Sequence, residues 1–198
     1  MVRVGVLSLQ GDFLEHLEIL KEAGAEPVKV KSAADLRGLD ALVIPGGEST
    51  TIGSLIRARG LEGPIRELAD SGVPIMGTCA GAILLAKKVA DRVVGETGQP
   101  TLGLMDVAVI RNAFGRQKDS FVTELDFEGV GRVRAAFIRA PAIAEAWGSA
   151  RIVSYVEHPQ LGRLGAAALQ GSMIALAFHP EITSEKKIYD FFLSKVKK

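Results

Sequence analysis

The 198-residue sequence predicts a three-layer α/β fold, with a mostly parallel central sheet, helices on both faces and antiparallel additions in the C-terminal half. Three observations predict it. Short apolar runs alternate with amphipathic segments as far as Asp91, the pattern of right-handed βαβ crossovers. Those runs are apolar at nearly every position, as strands buried on both faces are. After Asp91 the pattern changes to short strands at hairpin spacing. The hydrophobic content of 47% is ample for a core, and no repeat, low-complexity segment or linker divides the chain, so one domain over residues 1–198 is expected.

Residues 3–9, Arg-Val-Gly-Val-Leu-Ser-Leu, read as the first strand. The next segment reads as an amphipathic helix, with Leu14, Leu17, Ile19 and Leu20 as its buried stripe and Gly24 as its stop. Asp12 and Glu15, three residues apart, resemble a capping box, and His16 reads as exposed. Residues 26–31 form a second strand, at an edge because Pro27 lies in it. Residues 40–45 form a third and run into Gly46-Gly47-Glu48-Ser49-Thr50-Thr51. Helices follow over 51–59, stopped by Gly60, and 64–70, stopped by Gly72. Residues 74–87 hold a strand, the only cysteine and a helix. Short strands are expected at 107–110, 121–125, 133–138, 152–157, 164–169 and 174–178, as antiparallel additions to the sheet. A last helix over 184–195 turns Ile188, Phe191, Phe192 and Val196 inward.

Lys and Arg number 24 against 23 Asp and Glu, a net charge of +1, so no global field draws the chain to nucleic acid or anionic lipid. One cysteine excludes an internal disulfide. The N-terminus shows no signal-peptide succession, and no apolar run reaches the roughly 18 residues of a membrane span. A cytoplasmic chain without membrane or nucleic-acid partners is expected. There is no Walker loop, no dinucleotide glycine pattern and no Cys/His cluster, so neither cofactor nor metal is expected.

In open α/β sheets ligands bind beyond the carboxyl ends of strands, which singles out residues 10–11, 45–49 and 78–81. The small residues Gly77, Thr78, Ala80 and Gly81 around Cys79 let the backbone turn sharply from strand to helix. A thiol at a helix start feels the positive end of the macrodipole, which favours thiolate. The plain alternative is a small buried hydrophobe. A cysteine nucleophile needs a base, and the base an orienting acceptor. Of the three histidines, His16 lies on the first helix and His158 precedes Pro159 in a turn between strands. His179 ends an apolar strand with Glu181 two residues on, and the period of two puts both side chains on one side of the chain. Cys79, His179 and Glu181 are therefore the candidate triad.

That order of residues on an alternating α/β pattern resembles the triad of class I glutamine amidotransferases. Gly77-Thr78-Cys79-Ala80-Gly81 fits the family's Gly-x-Cys-x-Gly turn, His179-Pro180-Glu181 its His-x-Glu element, and Pro45-Gly46-Gly47-Glu48 its glycine loop. The resemblance implies a flavodoxin-like sheet, one class I glutamine amidotransferase domain over 1–198, and hydrolysis of L-glutamine to L-glutamate and ammonia through a thioester. The oxyanion donors would be the backbone N–H groups of Gly47, where no side chain obstructs approach, and Ala80, at a helix start.

Further stretches resemble one branch of that family, the glutaminase subunits of the ribose-phosphate-dependent pyridoxal 5'-phosphate synthases. They are Leu9-Gln10-Gly11, residues 46–51, residues 111–117 with Asp119-Ser120-Phe121, and Phe137-Ile138-Arg139-Ala140-Pro141. This branch implies glutamine contacts at Gly47, Glu48, Ser49, Arg111, Ile138 and Arg139 and a gating role for Gln10. It also implies a synthase (lyase) subunit as the partner that receives ammonia, with no pyridoxal phosphate bound to this chain. Arg offers a planar fork for the substrate carboxylate and Glu a counter-charge for its ammonium. Context favours Arg111 and Arg139 over Arg116, and which of the two holds the carboxylate stays open. The first helix, with Glu15 and His16, is the guess for part of the docking surface. The alternatives are a glutaminase of the imidazole glycerol phosphate synthase type, and a cysteine peptidase or deglycase on a related sheet. The latter would not need Arg111 and Arg139 to read an amino acid.

Overall fold

A computed structural model describes residues 1–115, 120–158 and 161–197. In chain order the first strands are β1 (Arg3–Leu7), β2 (Glu26–Val30), β3 (Ala41–Ile44), β4 (Ile75–Thr78), β5 (Ala86–Asp91), β6 (Gly95–Glu96) and β7 (Met105–Arg111). They are followed by β8 (Phe121–Phe127), β9 (Gly131–Phe137), β10 (Ala142–Ala146), β11 (Arg151–His158), β12 (Gly162–Gln170) and β13 (Met173–Leu176). Among the described residues the α-helices are α1 (Phe13–Glu22), α2 (Ser49–Ala58), α3 (Glu62–Asp70), α4 (Ala80–Leu85) and α5 (Lys186–Leu193), and none is long and apolar enough to cross a membrane.

Strands β2, β1, β3, β4 and β13 lie side by side in that order, all parallel. In β3, Val43 packs into one core while Leu42 and Ile44 pack into the other, which is why the strand is apolar at every position. On the first side α1 and α5 bury Ile19, Leu20, Ile188 and Phe192. On the second, α2, α3 and α4 bury Ile52, Ile56, Ile65 and Leu84. Strand β2 is at the edge, where Pro27 withdraws no ladder donor from a central strand. Antiparallel pairing carries the sheet from β13 through β12 and β10 to β7, and β11, β8 and β9 branch from β12.

Several expectations need correction. The last strand, read among the antiparallel additions, pairs parallel with β4 on one side and antiparallel with β12 on the other. Helix α4 stops at Leu85, and Ala86 opens a strand that the sequence reading missed, as it missed β6 and β10. The Ala-Lys-Lys-Val-Ala-Asp composition of β5 has little strand propensity, and pairing with β7 imposes the extended state. In α1, Leu14 is exposed and His16 is fully buried, because the inward face runs His16, Ile19, Leu20 at helical spacing. His16 is therefore no part of a docking surface. Asp12 makes no side-chain cap bond: its N–H is drawn to Gly46 O at 3.1 Å, and φ −85°, ψ 40° is not the extended backbone of a cap.

Candidate active site

At the end of β4 the chain reverses at Cys79, which takes φ 48° and ψ −102° as the residue before α4. A positive φ at a non-glycine residue is strained, and it is held here by Cys79 N–H donating to Leu176 O at 2.8 Å. The strain thus falls on the cysteine itself. Gly77 and Gly81, read as the source of the turn's freedom, have no positive φ and serve close packing instead. Cys79 is only 7% exposed, with Sγ 4.0 Å from Ile138 O.

The register that sets Leu176 opposite Thr78 carries the chain beyond β13 to the side of Cys79. His179 N–H donates to Ala136 O at 2.9 Å, bridging to β9. Its Nδ1 lies 2.6 Å from Glu181 Oε1 and 3.5 Å from Asp12 Oδ2, and its ring shares a cavity wall with Cys79. Burial disfavours charge on this imidazole, but the Cys79 and Glu181 side chains outweigh it and push the pKa up to about 11. Burial likewise opposes the charge of Glu181, but the hydrogen bond and charge of His179, with the His16 ring beside them, hold the carboxyl below its ordinary range. Asp12 is raised by burial, with His179 pulling the other way. Asp12, His179 and Glu181 offer ligand atoms within 4.8 Å of one another. The 2.6 Å separation of Nδ1 and Oε1 is a charge-assisted hydrogen bond, whereas two ligands about 2.1 Å from one tetrahedral ion stand over 3 Å apart.

His179 binds its proton more tightly folded than unfolded. Its contribution to stability is therefore complete below pH 6.5 and lost as the pH rises toward about 11. In a pH series of thermal melts, His179→Asn is expected to flatten the fall of the melting midpoint across that window. Parallel slopes for variant and wild type would contradict the raised pKa.

A cavity of about 380 Å³ opens at Cys79 and gathers Gly47, Glu48, Ser49, Ala80, Arg111, Ile138, Arg139 and His179, with Asp12, Ile83, Asn112 and Ile182 completing its wall. The structure thus brings Cys79 and His179 of the candidate triad, the oxyanion candidates and every expected glutamine contact to one place. Glu181 stands behind His179, fully enclosed. Gln10 lies against the glycine loop: its Oε1 accepts from Glu48 N at 2.9 Å and fills the space where a Cβ on Gly47 would stand, at 2.6 Å. Arg116, Gln117 and Asp119 lie outside the described residues. A larger groove of about 750 Å³ along β8 and β11 contains none of the candidate residues.

Two features escaped the sequence reading. The Glu48 carboxylate caps α2, accepting from Thr50 N at 3.2 Å, Thr51 N at 2.7 Å and Thr51 Oγ1 at 2.8 Å. Those bonds and Arg111 lower its pKa against the opposing effect of burial. Gln99, which carries no motif, fixes Arg111: its Oε1 accepts from Arg111 Nη1 at 2.5 Å and from Ser49 Oγ at 3.3 Å. Arg111 Nη2 also stands 3.6 Å from Glu48 Oε1. Of the signals in the sequence, only the helical phase of His16 pointed to a further buried group near the site.

Residues 6–198 match the SNO glutamine amidotransferase family. The chain is 57% identical over 198 residues to the pyridoxal 5'-phosphate synthase subunit PdxT of Hyperthermus butylicus, covering 100% of this chain and 98% of that protein. Identity to the subunit of the same name from Aeropyrum pernix is 48% over 204 positions, with full coverage of both. In structure it is similar to a crystal structure described as a glutamine amidotransferase, with a TM-score of 0.88 and 43% identity over 98% of each chain. PurLQS from Thermotoga maritima, at 19% identity, a TM-score of 0.69 and 98% and 99% coverage of the two chains, shares the fold.

Proposed function

Because the chain belongs to the SNO glutamine amidotransferase family, we infer that it is the glutaminase subunit of a pyridoxal 5'-phosphate synthase, hydrolysing L-glutamine to L-glutamate and ammonia. The observation that carries the chemistry is the placement of Cys79 and His179 in one cavity wall, with Glu181 bonded to His179 from behind. The Cys79 thiolate attacks the side-chain amide carbon, and backbone N–H groups of Gly47 and Ala80 hold the oxyanion. His179 gives its proton to the departing ammonia, leaving a thioester. It then takes a proton from water, which attacks the thioester and releases glutamate and the free thiol. Glu181 holds the imidazole in the orientation both steps need. Alternative glutaminases find less support, since the full-length relatives carry this synthase subunit's name.

Arg111 and Arg139 are assigned to the substrate carboxylate and Glu48 to its ammonium. The bonds from Thr50 and Thr51 hold the Glu48 carboxylate in one position, so it is an acid with little reorganisation left to undergo. Ser49 and Ile138 complete the pocket. Arg111→Lys keeps the charge but loses the planar fork that Gln99 orients, and is expected to raise the KM for glutamine about tenfold with a smaller change in kcat. Steady-state kinetics decide it, and an unchanged KM would remove Arg111 from substrate binding.

The partner is a synthase subunit that receives the ammonia. Gln10 ties the glycine loop to the end of β1, so a change in that loop on docking passes through its amide. The isolated chain is expected to be nearly inactive and the assembled complex active. Robust glutamate release without the partner would count against gating. Residues 1–198 act as a single class I glutamine amidotransferase domain, a reading that the continuous sheet with its two cores supports, and the cytoplasm is its proposed location.

A further inference from the structure

A buried polar chain runs from α5 through α1 to the triad. His16 is fully buried, with Nδ1 2.7 Å from Tyr189 Oη and Nε2 3.1 Å from Thr78 Oγ1. The same Nε2 stands 3.6 Å from Glu181 Oε2. Tyr189 and Thr78 are also fully buried. Four polar groups from distant parts of the chain meet in an apolar interior, where each costs free energy unless a partner satisfies it. The glutaminase reading uses Glu181 Oε1, which is bonded to His179. It leaves Oε2 without a role, and among the described residues that buried atom has no hydrogen-bond partner.

The protons on this chain follow from its surroundings. Burial drives His16 toward the neutral form, against the pull of Glu181. A neutral imidazole has one donor and one acceptor nitrogen. Burial also pushes the Tyr189 hydroxyl well above its ordinary pKa, so it keeps its proton and donates to Nδ1. The ring proton then sits on Nε2, between Thr78 Oγ1 and Glu181 Oε2. The opposite tautomer would set a lone pair against a carboxylate oxygen.

We propose that His16 is a positioning residue of the triad: its Nε2–H, with the tautomer set by Tyr189, orients Glu181 through Oε2 and anchors Thr78, the residue before the nucleophile. One imidazole thereby holds both the acid that aligns His179 and the strand end that presents Cys79. The kinetic part of this inference rests on the glutaminase reading. The thiol-reactivity part does not.

Three variants test it, by glutamine kinetics in the assembled complex and by alkylation of Cys79 with iodoacetamide, which needs an activated thiol but no glutamine. His16→Leu removes the donor while keeping an apolar volume, His16→Gln returns an N–H donor, and Tyr189→Phe removes only the hydroxyl. His16→Leu is expected to lower kcat about tenfold with KM within about twofold, the size of the lost hydrogen bond to Thr78 together with the contact to Glu181, and to slow alkylation by a similar factor. His16→Gln should recover most of both. Tyr189→Phe should lower kcat and alkylation about threefold, with a melting midpoint a few degrees lower because buried His16 Nδ1 loses its partner. Values within about twofold of wild type for both His16→Leu and Tyr189→Phe would overturn the proposal, as would equal losses in His16→Leu and His16→Gln. If His16→Leu does not fold, Tyr189→Phe decides on the same two readouts. If the wild-type complex releases no glutamate while alkylation of Cys79 still depends on His16, the glutaminase reading fails and the positioning role stands.

Discussion

Cys79→Ala is expected to abolish glutamate release by the assembled complex, by about 10⁴-fold or more, because no other group can form the thioester. The loss should fall on kcat, since the residues assigned to glutamine remain in the cavity wall. The folded state should survive, as alanine fits where a small side chain already sits almost fully buried. Cys79→Gly supplies an internal check. It is equally unable to react, but glycine takes φ 48° without the steric penalty that Cys or Ala bears. Its melting midpoint should therefore match or exceed that of Cys79→Ala. Glutamate release above about one hundredth of wild type in either variant would remove Cys79 from the chemistry.

Gly81→Ala is expected to cost about 3 kcal/mol or more of stability and most of the activity with it. A Cβ on Gly81 would stand 2.0 Å from Ile44 O and 2.9 Å from Ile44 C, backbone atoms of β3 that cannot swing aside. Helix α4 would have to lift off the sheet, taking Ala80 and the turn at Cys79 with it. Intrinsic propensity predicts the opposite sign, a gain of up to about 1 kcal/mol for Ala over Gly within a helix. Gly63→Ala in α3 makes the contrast, since a Cβ there meets nothing within 4 Å and a small gain is expected. Denaturant titrations of the two variants measure both signs. A Gly81→Ala protein as stable as wild type would mean that the approach of α4 to β3 is looser than described.

The glycines show how far the sequence was legible. Gly77 and Gly81 flank Cys79 in the pattern of a nucleophile turn, and the pattern falls on the strand-to-helix turn that lines the cavity. The reason it gave was wrong. Freedom of the backbone was expected at the glycines, whereas Cys79 carries the positive φ and the glycines let α4 lie against β3 and β4. A Cβ on Gly77 would be 2.5 Å from Gly81 C and O, so Gly77 must be bare beneath α4 as Gly81 must be bare against Ile44. No local window contains that requirement. His16 was misread for a similar reason: residue type argued for exposure, while its phase with Ile19 and Leu20 argued for burial, and packing against α5 and β4 followed the phase.

By itself the sequence determined the parallel half of the sheet, because strands buried on both faces must be apolar at every position and turns must carry Gly, Pro or a cap. It also singled out the candidate triad, because a thiol at a strand end and a His-x-Glu pair on one side of an extended segment are local facts. Tertiary structure alone decided that β13 lies beside β4, so that His179, about a hundred residues away, shares a cavity wall with Cys79. It alone recruited Gln99 to orient Arg111, Asp12 to the cavity and His16 to Glu181. Strand order and buried polar pairing are set by which distant surfaces fit together, and the free energy of that fit is not carried by any one segment.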